Sequence, residues 1–186
     1  MLSQVYNITD SVTTQQWLLN GMLGHPFEDF IAQFIRRSFE EAGYLQNNQA
    51  SIYQTAGSND GGKDIIITST VTISDLFGYE FPINENLEQK IYIECKSSEN
   101  GAIDYNKLSG GIQRASDQKI SAYVVVTNTT IVPYCFYQLK ETAAQYKIRF
   151  LLIDQNILAT ELSKKNMRIG DYTPLSRKAE KENTKY

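Results

Sequence analysis

Apolar residues recur along the chain with two periods, and the switching between them predicts helices alternating with strands. Phe27, Phe30, Ile31, Phe34 and Ile35 follow Pro26 at helical spacing. Proline is tolerated in the first turn, where its missing N–H has no intrahelical partner, and Gly43 closes the run. Residues 51–55, 65–71 and 90–96 are rich in β-branched or alternating apolar positions and read as strands. Tyr105, Leu108, Ile112 and Ala115 mark one side of a second helix, weakened by Gly110 and Gly111. The valine-rich run from Tyr123 to Thr127 reads as a buried strand. Pro133 opens a helix with Phe136, Leu139, Ala143 and Tyr146 on one face, and residues 149–153 give a last strand. The predicted order is helix, three strands, helix, strand, helix, strand, which implies an α/β fold: a mixed sheet of about five strands flanked by helices.

Outside that core the pattern is weaker. Residues 1–23, with Trp17, Leu18, Leu19, Met22 and Leu23, read as an N-terminal arm or short helix. Residues 74–89, with Pro82 and scattered acids, read as an elaborated connection. The core is expected over 24–163, and residues 164–186 as a basic tail or a linker into a larger protein.

Composition narrows the class. A chain of 186 residues with 41% hydrophobic content can bury one substantial core and is read as one domain. No run approaches the roughly 20 apolar residues of a membrane span, and the N-terminus lacks the regions of a signal peptide. A cytoplasmic protein with no membrane partner is expected. Cys95 and Cys135 match no zinc spacing and are expected as reduced thiols, while the sequons at Asn7 and Asn128 have no secretory context. The net charge of −3 hides an asymmetry: residues 164–186 carry seven Lys/Arg against three Asp/Glu, leaving the remainder strongly acidic. Bulk electrostatics therefore offers DNA little attraction.

The candidate chemistry lies on the strand at 90–96. Alternation sets Ile91, Ile93 and Cys95 on one face, toward the core, and Tyr92, Glu94 and Lys96 on the other. A carboxylate and an ammonium side by side on a strand covered by helices require a partner. Asp64 supplies one, at the entry to an apolar strand that would pair with the Glu94 strand, behind the glycines at 61 and 62. Two close carboxylates repel unless a cation lies between them, and hard oxygen donors suit Mg²⁺ or Mn²⁺. Lys96 would then orient and help deprotonate an attacking water and offset developing charge, and the backbone carbonyl of Cys95 would add a ligand. Glu28, in the first turn of the first helix, is a further carboxylate within reach of the metal.

These residues carry a resemblance. The runs Gly24-His25-Pro26-Phe27-Glu28, Asp60-Gly61-Gly62-Lys63-Asp64 and Glu94-Cys95-Lys96 resemble the PD-(D/E)xK nuclease superfamily, most closely the Mrr-type restriction endonuclease catalytic domain. The likeness spans roughly Gly24 to Ile153 and departs in its long connection between Asp64 and Glu94. It implies a restriction-endonuclease-like core and a Mg²⁺-dependent endonuclease cutting DNA, in restriction or anti-phage defence. Asp64, Glu94 and Lys96 stand at its motif positions and Glu28 at its helix position. Weak affinity and double-strand cleavage would call for a homodimer or higher oligomer, or for fusion to a sensor or recognition module. The alternatives are a catalytically silent nuclease-like module for binding or assembly, and a nuclease acting on RNA or branched DNA.

Several neighbouring residues read as structural. The segment 57–63 fits seven positions of a phosphate-binding loop but fails at the eighth, where Asp64 replaces a hydroxyl and a strand replaces a helix. Asp60 and Lys63 are expected as turn residues, His25 as a cap or surface group, and Gln113 and Arg114 as a solvated helix face.

Overall fold

The computed structural model describes residues 12, 16, 19, 21–55, 64–83, 88–98, 103 and 105–167, with 106 and 107 as backbone only. The elements are α1 (His25–Glu41), β1 (Ala50–Gln54), β2 (Ile65–Ser69), β3 (Ile73–Leu76), β4 (Tyr79–Phe81), β5 (Gln89–Lys96), α2 (Tyr105–Asp117), β6 (Ala122–Thr127), α3 (Pro133–Gln145), β7 (Arg149–Ile153) and α4 (Gln155–Lys164).

Five strands form one sheet in the order β1-β2-β5-β6-β7. β1, β2 and β5 pair antiparallel, whereas β5, β6 and β7 pair parallel through the crossovers α2 and α3. The expected mixed α/β sheet is therefore present, and β5 is the strand on which its direction changes. Both sheet faces are buried. Phe27, Phe30, Ile31, Phe34 and Ile35 of α1 and Leu158 and Leu162 of α4 pack with Ile91, Ile93 and Cys95. On the other face Leu108 and Ile112 of α2 and Cys135, Leu139 and Ala143 of α3 pack with Tyr92, Tyr123 and Val125. Each such aliphatic or aromatic side chain contributes roughly 1.5–3 kcal/mol when fully buried. Leu19 and Met167, from either side of the 24–163 segment, join the first cluster.

Three expectations change. The connection at 74–89 contains the hairpin β3–β4, whose Ile73, Leu76 and Phe81 are buried with Phe77 at its tip. Phe77 and Gly78 both have positive φ (54° and 78°), the signature of a two-residue hairpin turn, and Asp75 Oδ1 accepts the Gly78 N–H at 3.0 Å. The buried stripe of α3 is Cys135-Leu139-Ala143, one position away from Phe136. Phe136 is only partly buried against Phe150, and Tyr146 is exposed. A fourth helix, α4, follows β7 without a proline to mark it. Asp154 caps it, accepting from the N–H groups of Asn156 (2.9 Å) and Ile157 (3.0 Å). The turn at 57–63, Trp17 and the tail beyond residue 167 lie outside the described residues. No helix among the described residues is long and apolar enough to cross a membrane.

Candidate active site

The site lies where β5 ends, between β2 and the start of α1. Ile65 pairs with Ile93, so the same antiparallel register carried one step further sets Asp64 opposite Glu94. Backbone bonds fix Asp64 there: its N–H donates to Ile93 O at 3.0 Å and its carbonyl accepts the Thr55 N–H at 2.9 Å. Its side chain turns back onto β5, where Oδ2 accepts the Cys95 N–H at 2.6 Å. The Asp64 carboxylate therefore rests on the peptide that joins Glu94 to Cys95.

Glu94 is 1% exposed, and both its oxygens are engaged. Oε1 pairs with Lys96 Nζ at 2.6 Å, two residues along the same face of the strand, and Oε2 accepts a hydrogen bond from the Tyr123 hydroxyl. Burial pushes the Glu94 carboxyl up to about 7 despite the pull of Lys96; Asp64 adds to the rise and Arg114 opposes it. At Lys96 burial favours the neutral amine, but the Glu94 carboxylate, helped by Asp64, outweighs it and holds the ammonium above the usual lysine range.

α1 brings in the third carboxylate. Gly24 precedes it with φ of 56°, a conformation that suits glycine, and its N–H donates to Ser97 Oγ at 2.6 Å, tying the helix start to the end of β5. Glu28 lies in the first turn, where Oε2 meets His25 Nδ1 at 2.7 Å. His25 is thus a surface partner of Glu28. The Cys95 thiol shares the face of Ile91 and Ile93. It is pushed well up by burial and by the nearby charges of Asp64, Glu28 and Glu94, with Lys96 opposing them. Three carboxylates thus bear electrostatically on the end of β5.

The donor chemistry fits a hard divalent cation: carboxylate oxygens, a backbone carbonyl at Cys95, and two acids whose charges repel. Each engaged Glu94 oxygen retains a further lone pair for a ligand. Among the described residues no three His, Cys, Asp or Glu side chains already converge into a metal cage. Mg²⁺ is commonly held by only one or two carboxylates with several waters, a number that Asp64 and Glu94 can supply.

Tyr123 is a contact that pattern reading missed, because a tyrosine heading a valine-rich strand reads as core. Asn128 is another. Its Oδ1 accepts the Ser98 N–H at 3.0 Å and its Nδ2 donates to Leu19 O and Met22 O, so the N-terminal segment is fastened to the ends of β5 and β6. Gln113 and Arg114 are exposed on α2. A groove of about 670 Å³ at the other end of the parallel strands, near Lys90, Lys119, Lys147 and Arg149, contains none of the site residues.

A search of curated proteins gives no match. The restriction endonuclease family model of the Mrr catalytic type matches residues 19–162, from the buried Leu19 to Leu162 in the last turn of α4. The match covers most of the chain and every described site residue, and it agrees with the observed mixed sheet; the protein belongs to the Mrr-type restriction endonuclease family and has the fold of a restriction-type nuclease.

Proposed function

We propose that the protein is a Mg²⁺- or Mn²⁺-dependent endonuclease that hydrolyses DNA phosphodiester bonds, with Asp64, Glu94 and Lys96 as its catalytic residues and Glu28 assisting. The observation that carries this reading is the Asp64 carboxylate held on the Glu94–Cys95 peptide, with Lys96 paired to Glu94 beside it. Restriction-endonuclease-like domains generally use divalent metal ions. Asp64, Glu94 and the Cys95 carbonyl would hold the ion, with Glu28 reaching it directly or through water. Bound there, it would supply Lewis-acid stabilisation of the phosphate and an activated water.

The chain's own residues have distinct tasks. Asp64 and Glu94 place two carboxylates side by side, and a divalent cation would relieve their repulsion. Lys96, held as an ammonium, orients the attacking water and offsets charge on the pentavalent phosphorus. In the resting pair it stabilises charge, and with a metal bound to Glu94 it would help deprotonate the attacking water. The Cys95 thiol, on the opposite face, takes no part.

Residues 24–163 form the nuclease unit in this reading, with 1–23 as an N-terminal arm or short helix and 164–186 as a basic tail or linker. The setting is a cytoplasmic restriction or anti-phage defence system. Because the core is acidic, DNA engagement relies on a homodimer or higher oligomer, or on fusion to a recognition module. The test is incubation of supercoiled plasmid with protein and Mg²⁺ or Mn²⁺. Nicked or linear product that disappears with Asp64→Ala supports the assignment. Cleavage that survives Asp64→Ala removes it, and DNA binding without cleavage in either protein favours a silent binding module. Cleavage of RNA or branched DNA alone redirects the substrate.

A further inference from the structure

We propose that Tyr123 is a positioning residue for Glu94 and that Gly111 is glycine so that α2 can close over this pair. The inference rests on the nuclease reading above. Tyr123 pairs in register with Tyr92, so it lies on the same sheet face as Glu94 but two residues back along the parallel ladder. That offset is roughly 6.6 Å at ordinary strand rise, about the reach of a tyrosine side chain. The hydroxyl spans it and donates to Glu94 Oε2. Tyr123 is fully buried among Leu108, Ile112 and Val125, where a phenylalanine would fill nearly the same space. What the hydroxyl adds is a donor aimed at one oxygen of one carboxylate.

α2 is shaped around that contact. A mid-helix glycine weakens a helix, yet α2 has two. At Gly111 a Cβ would run into the Tyr123 hydroxyl and lie 2.8 Å from both Tyr123 Cζ and Glu94 Oε2. At Gly110 it would meet only the Arg114 guanidinium, at 3.2 Å, the far end of a long side chain. Gly111 therefore answers to the buried pair and Gly110 does not. With Oε2 taken from the interior by Tyr123, Oε1 is the oxygen that faces Lys96. The orientation of Glu94 is thus set from β6 and α2 before any ligand arrives. Hydrogen-bond partners of this kind around a metal-binding carboxylate typically change metal affinity or activity about 10–100-fold when removed.

The test is Mn²⁺ binding by calorimetry on DNA-free protein, paired with plasmid-cleavage kinetics across Mn²⁺ concentration. Tyr123→Phe keeps the ring and is expected to weaken Mn²⁺ binding and lower kcat by about 10-fold or more. KM for DNA should stay unchanged, a split that loss of packing alone would not produce. Gly111→Ala keeps the hydroxyl but displaces it and should weaken Mn²⁺ binding in the same direction. It provides the reading if Tyr123→Phe does not fold. Adding Gly111→Ala to Tyr123→Phe should cost less than the two separate losses multiplied together, because both act on one carboxylate. Gly110→Ala should match the wild type. Wild-type protein that binds Mn²⁺ alongside a folded Tyr123→Phe or Gly111→Ala variant that binds it equally well overturns the positioning role and leaves the nuclease reading intact. Wild-type protein that neither binds Mn²⁺ nor cleaves overturns both.

Discussion

Two regions of the molecule bury a glutamate beside a lysine, and only one of them looks like a site. At the end of β5, Glu94 pairs with Lys96 at 2.6 Å; on α4, Glu161 pairs with Lys164 at 2.7 Å. Both carboxylates are almost wholly buried, so burial and ion pairing do not separate them. Their surroundings do. Glu161 packs over the hairpin tip, where a Cβ at Gly78 would come within 3.1 Å of its Oε1, and the neighbouring Lys165 bonds Asp75 at 2.8 Å. Every charge there has a nearby partner of opposite sign, and the cluster pins the β3–β4 hairpin to α4. At β5 the acids Asp64, Glu94 and Glu28 all raise the Cys95 thiol by their charge, and the lysine is bound to Glu94. A surplus of carboxylates over lysines near the end of β5, rather than an ion pair as such, is the feature on which the proposed metal site rests.

The largest effect expected from this contrast is on cleavage. Lys96→Ala should reduce plasmid cutting by about 100- to 1,000-fold, the scale for removing one donor to developing charge. Lys164→Ala should leave the rate unchanged. Equal losses in both variants would mean that Lys96 acts through folding.

The next effect is on stability in EDTA. Glu94 rises from an ordinary 4.5 to about 7 in the fold, so between those values the native state binds more protons than the unfolded chain. Stability attributable to Glu94 is then present in full below about 4.5 and lost as pH climbs through 7, a decline of about 3 kcal/mol. Urea unfolding of wild type and Glu94→Gln from pH 4 to 8 should show the difference in stability between them falling by that amount. A difference that does not vary with pH would contradict a buried, strained carboxylate.

A smaller effect belongs to the structural region. Gly78→Ala places a Cβ at positive φ and against Glu161, which should lower stability by about 1–2 kcal/mol in the same urea assay. Cleavage at a temperature where the variant is folded should be unaltered. A loss of cleavage there would join the two regions functionally.

Much of this was legible in the chain because the signals were local and periodic. Phe27, Phe30, Ile31, Phe34 and Ile35 mark a helix on their own, and the valines of β6 mark a strand buried on both faces. Glu94 and Lys96 declared themselves by interrupting an apolar strand, and Asp64 by following a glycine pair into another. The β3–β4 hairpin was hidden because its turn is Phe77-Gly78, with a bulky residue at positive φ that no turn preference anticipates. α4 was hidden by its brevity and by a single aspartate cap. Tyr123 and Gly111 were illegible for a different reason. Each has an ordinary local role, as core aromatic and helix-weakening glycine, and their meaning arises only when α2 folds over β6 and brings both to Glu94. The combined charge bearing on Cys95 likewise depends on α1 meeting the end of β5 through Gly24 and Ser97.

The most direct measurement is a crystal grown or soaked with Mn²⁺ and examined for anomalous density. One ion between Asp64 and Glu94, within bonding distance of the Cys95 carbonyl, is the expected result. Saturating Mn²⁺ with Glu94 still closed on Lys96 and no density between the two acids would contradict a metal-dependent site here.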